Sequence, residues 1–187
     1  LPICVEVEIN WADSKGGFDY NIGMNFSTTK NKVVELADKG QVLYGEGLKY
    51  GTEHFPTQTR VGKPIGAFYL YKTNGLFQSN EEARQYVNAD GDEYQPFADA
   101  GDIRYVDVNG DGYIDDDDKV YCGSGIPTLE VNLNFSAGYK GFDLSIVLGS
   151  AWGHKIYNGN KYFYEGMNSG SNFLTSSLNA WKIGRAH

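Results

Sequence analysis

The sequence predicts an all-β fold, and three observations lead to that prediction. Apolar and polar residues alternate with a period of two along stretches of about ten residues, which places each set on one face of a strand. Glycine contributes 24 of the 187 residues, and Tyr and Phe contribute 14 and 10. Turn-forming glycine and strand-favouring aromatic residues in these amounts indicate many turns and few helices.

Four stretches carry the alternation most clearly. They are residues 3–11, 18–28, 129–139 and 142–149. In the second stretch the residues of the apolar face are Phe18, Tyr20, Ile22, Met24, Phe26 and Thr28. Soluble strands average about 5–6 residues, whereas strands that cross a bilayer need about 9–11. The length, together with a polar face of Asn, Ser, Gly and Asp, predicts strands of a large antiparallel transmembrane β-barrel. A soluble β-sandwich also alternates, so the pattern alone leaves both architectures open.

The connections between these strands are unequal, which predicts the organisation of the chain. Short turns at residues 12–17 and 140–141 contrast with the long interval between the second and third strands. Outer-membrane barrels combine short periplasmic turns with long extracellular loops. The predicted segments are therefore barrel strands in 1–38, an extracellular insertion in 39–128 and further barrel strands in 129–182. Within the insertion we expect small strands at 41–50 and 64–72 and a helix over 80–88 that Asn80 caps.

The formal net charge of −8 is concentrated in one segment. Residues 99–118 hold eight acids and the single base Arg104. The chain therefore lacks the basic footprint of a nucleic-acid-binding protein and the polybasic patch of a membrane-surface protein. The local acidity indicates a cation site instead.

Residues 107–118 follow the twelve-residue calcium-loop spacing D-x-N-x-D-G with acids at positions 9 and 12. Alternate oxygen donors can turn inward around one hard cation, and Gly112 permits the sharp turn. The predicted calcium ligands are Asp107, Asn109, Asp111, the Tyr113 carbonyl, Asp115 and Asp118. A solvated turn rich in Asp, Asn and Gly is the alternative. The flanking residues favour strands rather than helices, so we expect structural calcium rather than a sensor switch.

No catalytic machinery is recognisable, and the sequence predicts a protein that is not an enzyme. The adjacent acids of 115–118 are better explained as metal ligands or solvated charge than as a glycosidase pair. His54, His154 and His187 lack metal-site or triad spacing. Cys4 and Cys122 permit one disulfide, and their separation in sequence does not decide whether they pair.

Several ordered motifs resemble the SusC/RagA-type TonB-linked outer-membrane proteins of Bacteroidota. Residues 62–78 are similar to the family stretch G-x-P-x-G-x-F-Y-G-Y-x-x-D-G-I-F-Q, and residues 101–112 to G-D-I-K-Y-x-D-x-N-G-D-G. Further landmarks occur in the expected order at residues 10–33, 139–145 and 178–181.

The resemblance implies a piece of the C-terminal half of the barrel of an importer in the cell outer membrane. Such an importer takes up glycans or peptides, works with a SusD-like surface lipoprotein and is energised through TonB by a segment outside this chain. The alternative is a soluble, calcium-stabilised β-sandwich that binds carbohydrate. Residues 183–187 resemble translated sequencing-adapter DNA, and we expect them to be a non-native tail.

Overall fold

The computed structural model describes residues 2–46, 48–50, 52–165 and 172–179. Strands make up 46% of the described residues, and the sheets are antiparallel, so the predicted all-β class is confirmed. The strands are β1 (Pro2–Lys15), β2 (Phe18–Asn31), β3 (Leu43–Tyr44), β4 (Leu48–Tyr50), β5 (Thr52–His54), β6 (Thr57–Thr59), β7 (Ala67–Tyr71), β8 (Thr73–Leu76), β9 (Ile103–Tyr105), β10 (Lys119–Gly123), β11 (Leu129–Tyr139) and β12 (Phe142–Trp152). The helices are α1 (Asn80–Arg84) and α2 (Gly159–Glu165), with 3-10 turns at Asp116–Asp118 and Thr175–Asn179.

The four long strands form one antiparallel sheet in the order β1-β2-β11-β12. β1 and β2 have 14 residues each, and β11 and β12 have 11 each. The pairing contains no register shift, so most residues face a residue of the same character on the neighbouring strand, with exceptions such as Asp13 opposite Tyr20 and Asn134 opposite Val147. Both edges of this sheet, β1 and β12, lack a further strand among the described residues.

Two-residue turns close both hairpins of this sheet. Gly16 and Gly17 connect β1 to β2 with φ of +64° and +79°, and Lys140 and Gly141 connect β11 to β12 with φ of +49° and +82°. Positive φ at both central residues is the type I′ arrangement, which matches the twist of paired strands. The first turn is shorter than the predicted 12–17, because pairing continues as far as Lys15 opposite Phe18.

Both hairpin turns lie at one end of the sheet, and the long insertion starts and finishes at the other. Phe18 pairs with Tyr139 next to the turns, while Thr28 pairs with Leu129 at the opposite end. The second and third predicted strands are therefore direct neighbours, although the insertion separates them in sequence. The two short turns therefore lie on the same side of the sheet.

The chain divides into two compact units, Leu1–Phe68 with Gly123–Ile156, and Tyr69–Cys122 with Tyr157–His187. The first part of the predicted insertion thus groups with the long sheet. Its backbone is tied there by hydrogen bonds from Val33 N to the Lys63 carbonyl at 2.9 Å and from Gly62 N to the Val33 carbonyl at 2.8 Å.

The second unit contains a small apolar cluster around α1. Phe77, Ala83 and Ala98 are buried, and Tyr86 packs against them. The predicted helix is present but shorter, and the predicted cap is wrong: Ser79, in extended conformation, accepts a hydrogen bond from Glu82 N at 3.1 Å. A side chain one residue before the first helical turn can reach its free N–H groups, which Asn80 inside the turn cannot.

The predicted strand segment 129–182 contains β11 and β12, and the elements that follow them among the described residues are helical. After Trp152 the described residues form α2 and the second 3-10 turn. Trp181 and the predicted tail at 183–187 lie outside the described residues. Cys4 and Cys122 are exposed free thiols, so the disulfide left open by the sequence is not formed.

Candidate functional site

The predicted calcium loop lies between β9 and β10, and strands flank it as the sequence predicts. Its last three residues form the 3-10 turn Asp116–Asp118. Asp115 caps this turn by accepting from Asp117 N at 2.8 Å, and Asp118 reciprocates by accepting from Asp115 N at 2.9 Å. This capping box gives the acidic end of the loop a defined backbone path.

The first half of the loop is organised by Asp107. Its carboxylate accepts from Gly110 N at 2.6 Å and from Gly112 N at 2.9 Å. Both glycines have positive φ, +77° and +92°, which turns their N–H groups back toward the first residue of the loop. Asp107 therefore holds the backbone of Gly110 and Gly112, at positions 4 and 6 of the loop, close to its own carboxylate.

Positions 3 and 5 are linked to each other. Asn109 Oδ1 accepts from Asp111 N at 2.9 Å, and Asn109 Nδ2 donates to Asp111 Oδ2 at 2.8 Å. The other Asp111 oxygen accepts from Tyr113 N at 3.0 Å. The Tyr113 side chain is exposed, consistent with a residue that contributes only its backbone to the loop.

Asp118 connects the two ends of the loop. Its side chain is fully buried, and one oxygen accepts from Val108 N at 2.7 Å. A buried carboxylate needs such donors, because burying an unpaired charge is costly. Asp118, at position 12 of the loop, is thereby held against Val108, at position 2, so the two ends of the loop lie together.

The structure thus brings the predicted ligands into one closed loop, with their carboxylates turned to backbone N–H groups. Within the described ranges, no three His, Cys, Asp or Glu side chains converge in a metal-binding arrangement. The donor set nevertheless fits a hard cation: it consists of oxygens, and a carboxylate oxygen that accepts one N–H keeps a further lone pair. Calcium binding at these residues stays a prediction.

A second contact at the loop was not predicted from the sequence. Lys119 Nζ lies 2.6 Å from Asp116 and 5.1 Å from the centre of the Tyr71 ring, and Tyr71 Oη donates to Asp116 at 3.1 Å. Burial and then the negative charge of Asp116 raise the pKa of Tyr71, so its hydroxyl remains a donor. The spacing of Asp116 and Lys119 is visible in the sequence, but the contribution of Tyr71 from β7 is not.

The long sheet provides the other candidate site, which is a surface with two contrasting faces. One apolar row across the four strands contains Ile9, Met24, Leu133 and Leu148, and the adjacent polar row contains Glu8, Asn25, Asn132 and Gly149. On β1 the apolar side chains are 49–65% exposed. The buried apolar side chains of the described residues are Ala67, Tyr69, Phe77, Ala83 and Ala98, all outside the long strands.

Aromatic side chains mark both ends of the apolar face. Near the hairpin turns the Phe18 ring lies 5.9 Å from that of Tyr20 and 6.3 Å from that of Tyr139, and Trp11 Nε1 donates to Tyr20 Oη at 3.4 Å. Trp152 lies at the opposite end, paired with Leu129. Eleven residues at about 3.3 Å each, tilted by about 45°, span about 25 Å, the height of the apolar band of a membrane barrel.

Among the described residues, no helix combines the length and apolar character that crossing a membrane requires.

Comparison with known proteins identifies relatives of one kind. No protein-family model matches the chain. The chain is 27% identical over 165 residues to TonB-dependent receptor P3 of Formosa agariphila, and the aligned region covers 88% of this chain and 16% of the receptor. The chain is 30% identical over 154 residues to TonB-dependent receptor P26 of the same organism, a match that covers 80% of this chain and 14% of that receptor. It is 28% identical over 169 residues to TonB-dependent receptor P39, also of that organism, a match that covers 75% of this chain and 15% of the receptor.

These similarities support the TonB-dependent receptor family. The chain spans 14–16% of the length of the curated relatives that it matches. The matched part includes most of the chain, so the similarity extends beyond the loop motif.

Proposed function

We propose that this chain forms part of the barrel wall of an outer-membrane TonB-dependent importer of SusC/RagA type. The long sheet crosses the membrane, and the insertion between β2 and β11 is extracellular. The cargo is a glycan or peptide delivered with a SusD-like surface lipoprotein, and TonB supplies energy through a segment outside this chain. The three relatives support the receptor class, whereas the motifs of residues 62–78 and 101–112 support the SusC/RagA type.

The observation that carries the proposal is the exposed apolar face of the four-stranded sheet. A soluble sandwich buries such a face against a second sheet, and monomeric soluble proteins rarely expose apolar patches larger than a few hundred Å². The apolar side chains of this face are exposed on β1 and β12 and mostly half-buried on β2 and β11, between two aromatic ends, as expected for a surface that meets lipid. This favours the barrel over the carbohydrate-binding sandwich.

The opposite face then lines the lumen. It carries Asn, Ser, Glu and Asp side chains, and Asn25 Nδ2 donates to Glu6 at 2.8 Å while Asn10 Nδ2 donates to Glu8 at 2.7 Å. Such groups require water or polar partners, which the interior of a large barrel provides. The unpaired edges of β1 and β12 would pair with further strands of the full-length protein, because an open edge in hydrocarbon leaves backbone groups unsatisfied.

The loop at residues 107–118 would bind calcium in a structural role. Asp107, Asn109, Asp111, Asp115 and Asp118 would supply side-chain oxygens, with the carbonyl of Tyr113 completing the set. The ion would neutralise an acidic segment on the extracellular side and stiffen its path between β9 and β10. This role includes no catalysis.

Labelling of single cysteines in intact cells tests the topology. In the full-length protein with Cys4 and Cys122 replaced by serine, a cysteine is introduced at Lys39 in the insertion or at Lys140 in the hairpin turn. A membrane-impermeant maleimide should label Lys39→Cys in intact cells and Lys140→Cys only after the outer membrane is opened. Equal labelling of both positions, in protein released without detergent, would support the soluble sandwich instead.

Growth tests address the transport function. Deletion of the gene should abolish growth on one class of glycan or peptide while leaving growth on simple sugars intact. Loss of the same growth phenotype on deletion of TonB and of the neighbouring surface lipoprotein would support both proposed partners. Uptake that continues without TonB would contradict the proposal.

A further inference from the structure

A tight turn at residues 86–94 lies against the 107–118 loop. Val87 and Glu93 form a β-bridge, and Tyr94 N donates to the Tyr86 carbonyl at 3.1 Å. Inside the turn, Asn88 Oδ1 accepts from Asp90 N at 3.0 Å and from Asp92 N at 2.9 Å. One end of the Asn88 amide therefore organises its own turn.

The other end of the same amide reaches the loop. Asn88 Nδ2 donates to the carbonyl of Gly112 at 3.1 Å. A Cβ at position 112 would lie 3.1 Å from that nitrogen, and φ at Gly112 is +92°. Only glycine fits both the backbone conformation and the close approach of Asn88, so the two residues form one contact.

The turn also contacts the strand that precedes the loop. Tyr86 Oη donates to the Tyr105 carbonyl at 2.8 Å, at the end of β9. The turn thus holds the end of β9 through Tyr86 and the midpoint of the loop through Asn88.

We propose that Asn88 is a positioning residue that holds the loop in its closed form before the cation arrives. This inference rests on the calcium site proposed above. Between Asp111 and Asp118 the loop carries five carboxylates, whose mutual repulsion favours an open path. A loop that is already closed loses less conformational freedom on binding, so its affinity is higher than that of an unrestrained loop.

The test uses the full-length protein in detergent and three variants. Asn88→Ala removes both functions of the amide. Asn88→Asp keeps the oxygen that organises the turn but loses the donor to Gly112. Asn80→Ala is the matched control, since Asn80 accepts from Ala100 N at 2.8 Å and thus organises a different part of the same unit.

Two measurements are made on each variant: calcium affinity by titration calorimetry, and hydrogen exchange of peptides covering residues 107–118 without calcium. Asn88→Asp should weaken calcium binding by roughly two- to tenfold, the range for one lost hydrogen bond. Exchange in the loop should accelerate in this variant, while Asn80→Ala matches the wild type. If Asn88→Ala fails to fold, Asn88→Asp still decides.

The outcomes separate the two proposals. Wild-type protein that binds no calcium would overturn the calcium site and, with it, the role of the turn in calcium binding. Wild-type protein that binds calcium, with Asn88→Asp unchanged in affinity and exchange, would overturn the positioning role alone. Faster hydrogen exchange of residues 107–118 in Asn88→Asp would show that Asn88 acts on the loop and not only within its own turn.

Discussion

The backbone N–H of Thr29 donates to the carbonyl of Thr128 at 3.1 Å, although the two residues lie at opposite ends of the long insertion. The insertion therefore leaves β2 and returns to β11 at the same point of the sheet. Because the strands on either side are direct neighbours, an insertion of this length can be accommodated without disturbing their pairing.

The first prediction concerns the calcium ligands. Replacing Asp107 and Asp111 together with alanine should abolish calcium binding, because both are proposed calcium ligands and Asp107 also accepts hydrogen bonds from the N–H groups of Gly110 and Gly112. Titration calorimetry on the full-length protein measures the loss. The strand signal in circular dichroism should persist, because the loop lies outside the long sheet. Asp38→Ala is the control for removing an acid elsewhere, and unchanged affinity in the double variant would contradict the site.

The second prediction tests which face of the sheet meets lipid. Leu133 and Asn134 are neighbours near the middle of β11 on opposite faces. Leu133→Arg should destabilise the membrane-inserted protein by about 2–4 kcal/mol, the cost of arginine at the midplane of a barrel. Asn134→Arg, on the lumen face, should cost much less. Urea unfolding in lipid vesicles gives the comparison, and equal effects of the two variants would argue against a barrel wall.

The third prediction concerns the hairpin turn at Gly141. Its φ of +82° is unfavourable for any residue with a Cβ, while no atom lies within 4 Å of the position that the Cβ would occupy. Gly141→Ala should therefore destabilise the fold by about 1–2 kcal/mol through backbone strain alone. Gly159→Ala is the control, since that site is equally open and its φ is not positive. Thermal unfolding should show the loss only for Gly141→Ala.

The fourth prediction follows from Tyr86. Burial, more than the neighbouring charges, raises the pKa of its hydroxyl above the ordinary value of about 10. The folded state then binds this proton more tightly than the unfolded state, so the stability it contributes is complete below about pH 10 and decreases as pH rises further. The advantage of wild type over Tyr86→Phe should shrink between pH 9 and 11.5 in urea unfolding. A stability advantage that is constant over this pH range would contradict a raised pKa of the Tyr86 hydroxyl.

Local patterns predicted those features whose physical cause is local. Alternation along β1, β2, β11 and β12 reports strand faces directly, since successive side chains point to opposite sides. The cap of α1 was assigned one residue too late, because Ser79 and Asn80 are both good caps and only the backbone conformation distinguishes them. Likewise, the first hairpin turn was predicted too long, because polar residues at the end of a strand resemble a turn.

The sequence by itself determined the all-β class, the amphipathic faces of the long strands and the spacing of the Asp107–Asp118 loop, because each depends on residues a few positions apart. Only the tertiary structure decided that β2 pairs with β11, that Tyr71 and Lys119 converge on Asp116, and that Asn88 holds Gly112. These contacts join residues far apart in the chain, and a side-chain amide or hydroxyl has no local signal for its partner. Each contact forms only because the backbone brings its two distant segments together, and that depends on how the strands pair and how the insertion packs.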